Sequence, residues 1–147
     1  GRSPLSLTAP YENDNIFAKI IAGDIPCTKI FEDQSCLAFM DLYPQTRGHC
    51  LVISKTAQAT NLLAIDPGDL ESLIIRVQTV AGAVHKALSP DGIKITQFNG
   101  APAGQTVFHL HFHVIPVYEG AKTKPHANPA NKEADLEAVA TEIRRAF

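Results

Sequence analysis

The segment HLHFHVIP, residues 109–116, places a histidine at every second position over its first five residues. Successive side chains of a β-strand point to opposite faces, so His109, His111 and His113 would share one face and the apolar residues between them the other. Neighbouring imidazoles would lie about 6.5 to 7 Å apart. An imidazole is largely unprotonated near neutral pH, so it can attack an electrophile or carry a proton. The pattern predicts chemistry on one face of a strand and core packing on the other.

The loop ahead of this strand, NGAPAGQT at residues 99–106, is suited to an anion. Its two glycines let the backbone approach a ligand closely, and free N–H groups in such turns bind negative charge. Gln105 and Thr106 add side-chain donors where the chain enters the histidine strand. The loop and the three facing imidazoles together predict half of a phosphate site.

Two other interpretations of the three histidines stay open. Histidines at alternate positions of a strand can bind one metal ion, and a third histidine can complete a zinc site. A purely structural role is less favoured, because three facing imidazoles carry a desolvation cost without a matching gain. The zinc interpretation leaves the loop at 104–106 unexplained, so we favour the phosphate site.

Composition narrows the class of protein. The chain has 147 residues, of which 45% are hydrophobic, and a formal net charge of −2. The weak charge argues against a nucleic-acid partner, and no apolar run reaches the roughly 18 residues of a membrane span. The first residues lack the apolar segment of a signal peptide. Three widely spaced cysteines, at positions 27, 36 and 50, favour a reducing compartment, so we expect a cytoplasmic protein without a membrane partner.

The periodicities predict a flexible arm over residues 1–14 and a single α+β domain over 15–147. Helical spacing predicts a short helix at 15–22, a long helix starting at Asp66-Pro67, and a C-terminal helix. Strands are predicted at 28–32, 36–41, 49–54, 93–98 and 107–115, mainly antiparallel because several links are short. The continuous apolar run at 49–54 predicts a central strand. The apolar face of the long helix would comprise Leu70, Leu73, Ile74, Val77, Ala81, Val84 and Leu88.

GQTVFHLHFHVIP, residues 104–116, resembles the signature of the histidine triad (HIT) superfamily, in which three histidines alternate with apolar residues. NIFAKIIAGDIP, CLAFMDLYPQTRGHCLVISK and the long helix follow that family's order, so the resemblance covers roughly residues 15–118. The family consists of dimeric α+β nucleotide-binding proteins that transfer or hydrolyse nucleoside monophosphate esters, anhydrides and phosphoramidates. The resemblance implies a HIT-like fold, a homodimer and a purine nucleotide substrate.

The resemblance also assigns catalytic roles. His111 matches the nucleophile, which attacks the α-phosphorus and becomes nucleotidylated. His109 and His113 match the flanking pair that positions phosphate oxygens and holds protons around the nucleophile. His49 matches a fourth histidine near the triad. No metal is expected in the site, because donors on the protein can stabilise the charge that spreads over the phosphate oxygens.

The remaining matches concern nucleotide binding. Asp41, with Leu42, matches the position whose carboxylate binds the ribose hydroxyls, although an aspartate at a strand end can instead cap a turn. Asn99 matches a ribose or phosphate contact. The phosphate cradle would comprise Gly104, Gln105 and Thr106, and the purine pocket would be lined by Ile16, Phe17, Ile20, Ile25, Phe39 and Leu51.

The chain departs from some family members in two respects. Asn15, Ala18 and Ala57 stand where those members have two cysteines and a histidine that help to hold a structural zinc, so no structural zinc is expected. The chain has no tryptophan, and HVIP is followed by YEG at 118–120, which resembles the dinucleoside polyphosphate hydrolases and their bacterial relatives more than the phosphoramidases.

Other polar residues are assigned ordinary roles. His85 would complement the dipole of the long helix, and His126, Lys122 and Lys124 would lie in a solvated loop. The rival to an enzyme is a nucleotide-binding regulator with the same pocket and little turnover, and sequence alone does not separate the two.

Overall fold

The computed structural model describes residues 7–132 and 135–147. Its strands are β1 (Lys29–Glu32), β2 (Cys36–Met40), β3 (Cys50–Ser54), β4 (Gly92–Thr96) and β5 (His111–Val117). Its helices are α1 (Ile16–Ala22), α2 (Pro67–Leu88) and α3 (Leu136–Arg144). Single 3-10 turns occur at Ala101–Ala103 and Pro129–Asn131. No helix in the described ranges is long and apolar enough to cross a membrane.

The strands form one sheet in the order β1-β2-β3-β5-β4, and each neighbouring pair is antiparallel. This confirms the α+β prediction and the central position of β3. The register sets His113 beside Leu51 and His111 beside Ile53. The histidine strand therefore lies inside the sheet, where neighbours on both sides fix the direction of its side chains.

Local sequence explains where the first two helices begin and end. The Asn15 side chain accepts a hydrogen bond from the N–H of Ala18, and Gly23 ends α1 with a φ of 85°. Asp66 caps α2 through the N–H of Gly68, with Pro67 at the first helical position. These caps confirm the predicted starts of both helices.

The two faces of the sheet bury different sets of residues. Leu110, Phe112 and Val114 pack with α2 and α3 in the larger core, as the alternation predicts. On α2 the predicted stripe is partly wrong, because Ile74 is 43% exposed whereas Val80 is fully buried. The opposite face carries the histidines and a smaller apolar cluster formed by Phe17, Leu37, Phe39, Leu51 and Ile53.

The predicted limits of the histidine strand are wrong by several residues. The chain bends over 107–109, and the Leu110 N–H donates to the carbonyl of Ala59, at 2.8 Å, so β5 begins only at His111. At its other end, Pro116 lies within β5, opposite Ile93 of β4. The three histidines still share a surface, but His109 belongs to the bend.

Residues 7–14, which the sequence assigns to a flexible arm, are held against the domain. The Leu7 carbonyl accepts from the Asn61 side chain at 2.9 Å, and the Ala9 carbonyl accepts from the Thr60 hydroxyl at 3.4 Å. Residues 1–6, the rest of that arm, lie outside the described residues. The arm thereby delivers Tyr11 to the histidine face.

Candidate active site

His111 has the geometry of a nucleophile. Its Nδ1 lies 2.7 Å from the carbonyl oxygen of His109, and a carbonyl only accepts, so Nδ1 carries the proton. Its Nε2 therefore bears a lone pair, and it bonds to none of the described residues. Burial lowers the pKa of His111, so the ring is neutral near pH 7. Phe17 packs edge-on, with 4.9 Å between ring centroids, and holds the plane of the imidazole.

A chain of hydrogen bonds fixes the tautomers of His49 and His113. The backbone N–H of Gln45 donates to His49 Nδ1 at 3.0 Å, so neutral His49 carries its proton on Nε2. The Nε2–H of His49 donates to His113 Nδ1 at 2.9 Å. Neutral His113 therefore carries its own proton on Nε2. His113 Nε2 is buried and has no hydrogen-bond partner among the described residues. A buried donor of this kind is costly unless a ligand accepts from it.

The same histidines resist protonation. Burial is the largest cause, and it lowers the pKa of His49 to about 4 even though the nearby Asp41 carboxylate acts in the opposite direction. The pKa of His113 falls to about 2, because burial is reinforced by His111, His49 and His126. Both rings are therefore neutral near pH 7 in the free protein. A bound anion would favour their protonated forms and so raise their pKa values.

His109 contributes in a different way from its neighbours. Its Nε2–H donates to the Ser54 carbonyl at 3.2 Å, and its Nδ1 accepts from the Tyr11 hydroxyl at 2.8 Å. Both ring nitrogens are thus engaged within the protein, and its backbone carbonyl orients His111. The predicted contact of His109 with phosphate oxygens stays a prediction, and it would require one of these bonds to break. Sequence reasoning missed Tyr11, because its position beside the triad depends on the path of the arm.

The loop at 99–106 is organised by Gln105. Its Oε1 accepts from the Gly100 N–H at 2.8 Å, and its Nε2 donates to the Thr60 and Val107 carbonyls. The side chain therefore shapes the loop, and a phosphate contact through it would break these bonds. Gly104, at a φ of 110°, makes the turn behind it, and Thr106 is exposed. In the described part of the chain the backbone N–H groups of 106–108 have no acceptor, so they are available to an anion.

Asp41 lies beside His49, and both Asp41 and Asn99 have structural partners. One Asp41 oxygen caps the following turn through the Tyr43 N–H at 2.8 Å, and the other lies 3.4 Å from His49 Nε2. The Asn99 Oδ1 accepts from the N–H of Leu62 at 2.9 Å, and its side chain also bonds to that of Gln97. Leu42 is 55% exposed. Their predicted contacts with a nucleotide stay predictions.

The residues assigned to the purine pocket differ in their exposure. Phe17, Phe39 and Leu51 are buried, Ile20 packs against them, and Ile25 is half-buried. Ile16 is 47% exposed and lines a cavity of about 260 Å³ together with Thr106. Helix α1 and the loop at 99–106 therefore face each other across this cavity. Its other lining residues are Pro10, Glu12, Asp14, Asn15, Val107 and Phe108.

His126 is a site residue that sequence reasoning missed, and the expectation that it is solvated is wrong. Its ring lies 4.9 Å from that of Phe98 and 5.1 Å from that of His113, centroid to centroid. Its Nε2 lies 3.2 Å from the Gly104 carbonyl. Nothing in a polar loop rich in proline and asparagine signals this placement, because it depends on where the loop folds.

One set of side chains could hold a metal ion. Ligand atoms of Asp41, His49 and His113 all lie within 4.8 Å of one another, and carboxylate and imidazole are suitable zinc ligands. The 2.9 Å contact between the two rings contains a shared proton, which an ion would have to displace. The hydrogen bonds from Gln45 to His49 and from His49 to His113 account for the closeness of these two rings without an ion. In the described ranges, the three triad histidines do not form a ligand set of their own.

The low pKa values predict acid destabilisation. Burial lowers the pKa of both His49 and His109 to about 4 in the folded protein, whereas an unfolded histidine titrates near 6.5. Below about pH 6.5 the unfolded chain binds more protons, so the free energy of unfolding falls with decreasing pH, by up to about 1.4 kcal/mol per pH unit for each histidine. Urea titrations between about pH 7 and pH 4 measure this slope. A free energy of unfolding that stays constant over that range would contradict the predicted burial of neutral rings.

Comparisons with known proteins identify the family and the fold. A family model for the HIT domain matches residues 22–120, more than half of the chain. The chain belongs to the HIT family. A solved HIT-like protein from Bartonella henselae, described as involved in cell-cycle regulation, shares 46% identity with this HIT protein at a TM-score of 0.82, covering 93% of this chain and 99% of that chain. This likeness confirms the predicted HIT-like fold.

Two relatives of this HIT protein carry enzyme names. Adenylylsulfatase HINT3 of Arabidopsis thaliana is 35% identical over 129 residues, which are 84% of this chain and 65% of that protein. Adenosine 5′-monophosphoramidase hnt1 of Schizosaccharomyces pombe is 40% identical over 101 residues, which are 69% of this chain and 72% of that protein. The family thus includes hydrolases with nucleotide substrates.

Proposed function

We propose that this HIT protein attacks the α-phosphorus of purine nucleotide anhydrides, esters or phosphoramidates through His111 and releases a nucleoside monophosphate. The observation that carries the proposal is the pinned, neutral His111 ring, whose Nε2 lone pair is free while its Nδ1 is held by a backbone carbonyl. Neutrality and a fixed direction are what a nucleophile requires. The names of the two enzyme relatives, which refer to adenylyl compounds, support a purine nucleotide.

The neighbouring groups would act on charge and protons. In the first step His111 Nε2 forms a bond to phosphorus, and the bond to the leaving group breaks. The ring centroids of His113 and His111 are 5.0 Å apart. The buried N–H of His113 can therefore donate to an oxygen of the phosphate or to the leaving group. The free backbone N–H groups of 106–108 can donate hydrogen bonds to the other oxygens of the phosphate. In the second step a water oxygen forms a bond to phosphorus, the bond between phosphorus and His111 Nε2 breaks, and the nucleoside monophosphate is released.

Incubation with three substrates tests this function. The protein is mixed with an adenosine 5′-phosphoramidate, a diadenosine polyphosphate or adenylyl sulfate, and AMP release is measured. We expect catalytic release from at least one of them, and the ratio of kcat/KM values assigns the leaving-group class. The resemblance to dinucleoside polyphosphate hydrolases favours the second substrate. Tight binding without release from any substrate would contradict the enzyme and favour the regulator.

We propose that the reaction needs no metal or other cofactor. The support is that every donor assigned above belongs to the protein, and that the shared proton between His49 and His113 occupies the place an ion would take. Activity should survive dialysis against a strong chelator. A loss restored by zinc alone would point instead to the set formed by Asp41, His49 and His113.

We also propose a cytoplasmic location. The free cysteines Cys27, Cys36 and Cys50 support it, because unpaired thiols are typical of a reducing compartment.

We propose a homodimer that pairs through the edge of the sheet at β4. In the described part of the chain this strand has one neighbour, β5, and its Ile95 is 44% exposed. An open strand edge with an exposed isoleucine is an available pairing surface. Light scattering should give twice the chain mass of 15.9 kDa, and Ile95→Glu should shift the protein towards the monomer. Leu63→Glu, at a 69% exposed residue outside the sheet, is the matched control. A wild-type monomer at high concentration would contradict the proposal.

A further inference from the structure

Residues 119–131 fold back over the histidine face of the sheet. The Lys124 N–H donates to the Gln45 carbonyl, and the Gln45 side chain donates to the Lys124 carbonyl, each at 2.9 Å. The Asn131 side chain donates to the Pro125 carbonyl at 2.6 Å and closes the segment on itself. Gln45 is also the residue whose N–H sets the tautomer of His49. The segment is thus attached to the same backbone that orders the catalytic histidines.

His126 projects from this segment into the site with a defined orientation. Its ring packs against Phe98 and stands edge-on to His113. Its Nε2 donates to the Gly104 carbonyl at 3.2 Å, because a carbonyl only accepts. In the neutral ring Nδ1 therefore carries a lone pair. That atom is buried and has no hydrogen-bond partner in the described part of the chain.

The adjacent rings of His113 and His126 thus contain one buried hydrogen-bond donor and one buried hydrogen-bond acceptor. Among residues 7–132 and 135–147, His113 Nε2 is a donor without an acceptor and His126 Nδ1 is an acceptor without a donor. Their ring centroids are 5.1 Å apart. A water molecule that takes the place of the departed leaving group would satisfy both, since it would accept from His113, donate to His126 and keep a second lone pair. That second lone pair would be the one that attacks the phosphorus on the neighbouring His111.

We propose that His126 is a fifth histidine of the active site and accepts the proton of the attacking water in the second half of the reaction. The inference rests on the proposed function. A bond forms between the water oxygen and phosphorus, and the bond between phosphorus and His111 Nε2 breaks with its electron pair returning to Nε2. The water proton moves to His126 Nδ1, and it passes to solvent when the nucleoside monophosphate leaves.

An adenosine 5′-phosphoramidate with a fluorescent amine as leaving group allows the two halves of the reaction to be measured separately. Release of the amine reports formation of the adduct on His111, and release of AMP reports its hydrolysis. His126→Phe keeps a ring against Phe98 and removes both nitrogens. His126→Asn restores an acceptor near the position of Nδ1 but provides almost no basicity. His85→Phe, at an exposed position on α2, is the matched control.

In both His126 variants we expect a burst of amine at the wild-type rate, with hydrolysis of the adduct slowed by about 10²- to 10⁴-fold. Nucleotidylated protein should then accumulate and be visible by intact mass, whereas His85→Phe should match the wild type in both phases. Wild-type rates in both phases of His126→Phe would overturn the proposal. Equal slowing of both phases would also overturn it, because it would indicate a structural role. If the wild type releases AMP without any adduct, the proposed function fails as well.

Discussion

Replacement of His111 by alanine should lower turnover of a nucleotide substrate by at least about 10⁴-fold, the scale reached when a nucleophile is removed from a preorganised site. The reason is local, because the ring lone pairs of His49, His109 and His113 already accept hydrogen bonds within the protein, whereas that of His111 accepts none from the described residues. Nucleotide binding should change little, since the apolar pocket and the free amides at 106–108 are unaffected. Steady-state kinetics and equilibrium binding measure the two effects separately.

A histidine outside the site provides the control for this variant. His85→Ala, on the exposed side of α2, removes the same side chain and should retain full activity. Circular dichroism and thermal unfolding of both variants show whether the fold is intact. A folded His111→Ala protein that keeps a tenth or more of the wild-type kcat would exclude His111 as the nucleophile.

The second large loss of activity is expected when His113 is replaced. His113→Phe keeps a ring of similar size but removes the buried N–H, and the loss of one such donor typically lowers kcat by about 10²- to 10³-fold. KM should change less than kcat, because the donor is expected to act on charge that develops during the reaction. His113 reaches its tautomer through His49, so His49→Phe should also lower kcat, by a smaller factor.

A double variant distinguishes a chain of hydrogen bonds from two independent contributions. Residues that act as a unit are non-additive, so His49→Phe combined with His113→Phe should be no slower than His113→Phe alone. Independent roles predict that the two losses multiply. Multiplied losses, in proteins that remain folded, would contradict the hydrogen-bonded chain that begins at the N–H of Gln45.

Local patterns were sufficient to predict most of the fold and the direction of the key histidines. Two-residue alternation placed His111 and His113 on the face opposite Phe112, because side-chain direction in a strand is set by the backbone. The caps at Asn15 and Asp66 marked the helix starts for the same reason, since each acts within three residues. The continuous apolar run of β3 correctly indicated a central strand.

Features that depend on distant segments could not be predicted in this way. The bend at 107–109 follows from a bond to Ala59, and the partner of His109 is Tyr11, 98 positions earlier in the chain. His126 reaches the site only because its loop is attached to Gln45. The motif also did not reveal that the Gln105 side chain bonds to the backbone of Gly100, Thr60 and Val107. These are tertiary contacts, and no periodicity of the sequence encodes them.

Intact-mass spectrometry after a brief acid quench with substrate tests the central claim most directly. The claim is that His111 Nε2 forms a covalent bond to the nucleotide phosphorus. The wild-type protein should gain the mass of one nucleotidyl group, the adduct should map to the peptide that contains residues 109–116, and His111→Ala should show no gain. AMP release by a wild-type protein that never carries this adduct, or an adduct that persists in His111→Ala, would contradict the claim.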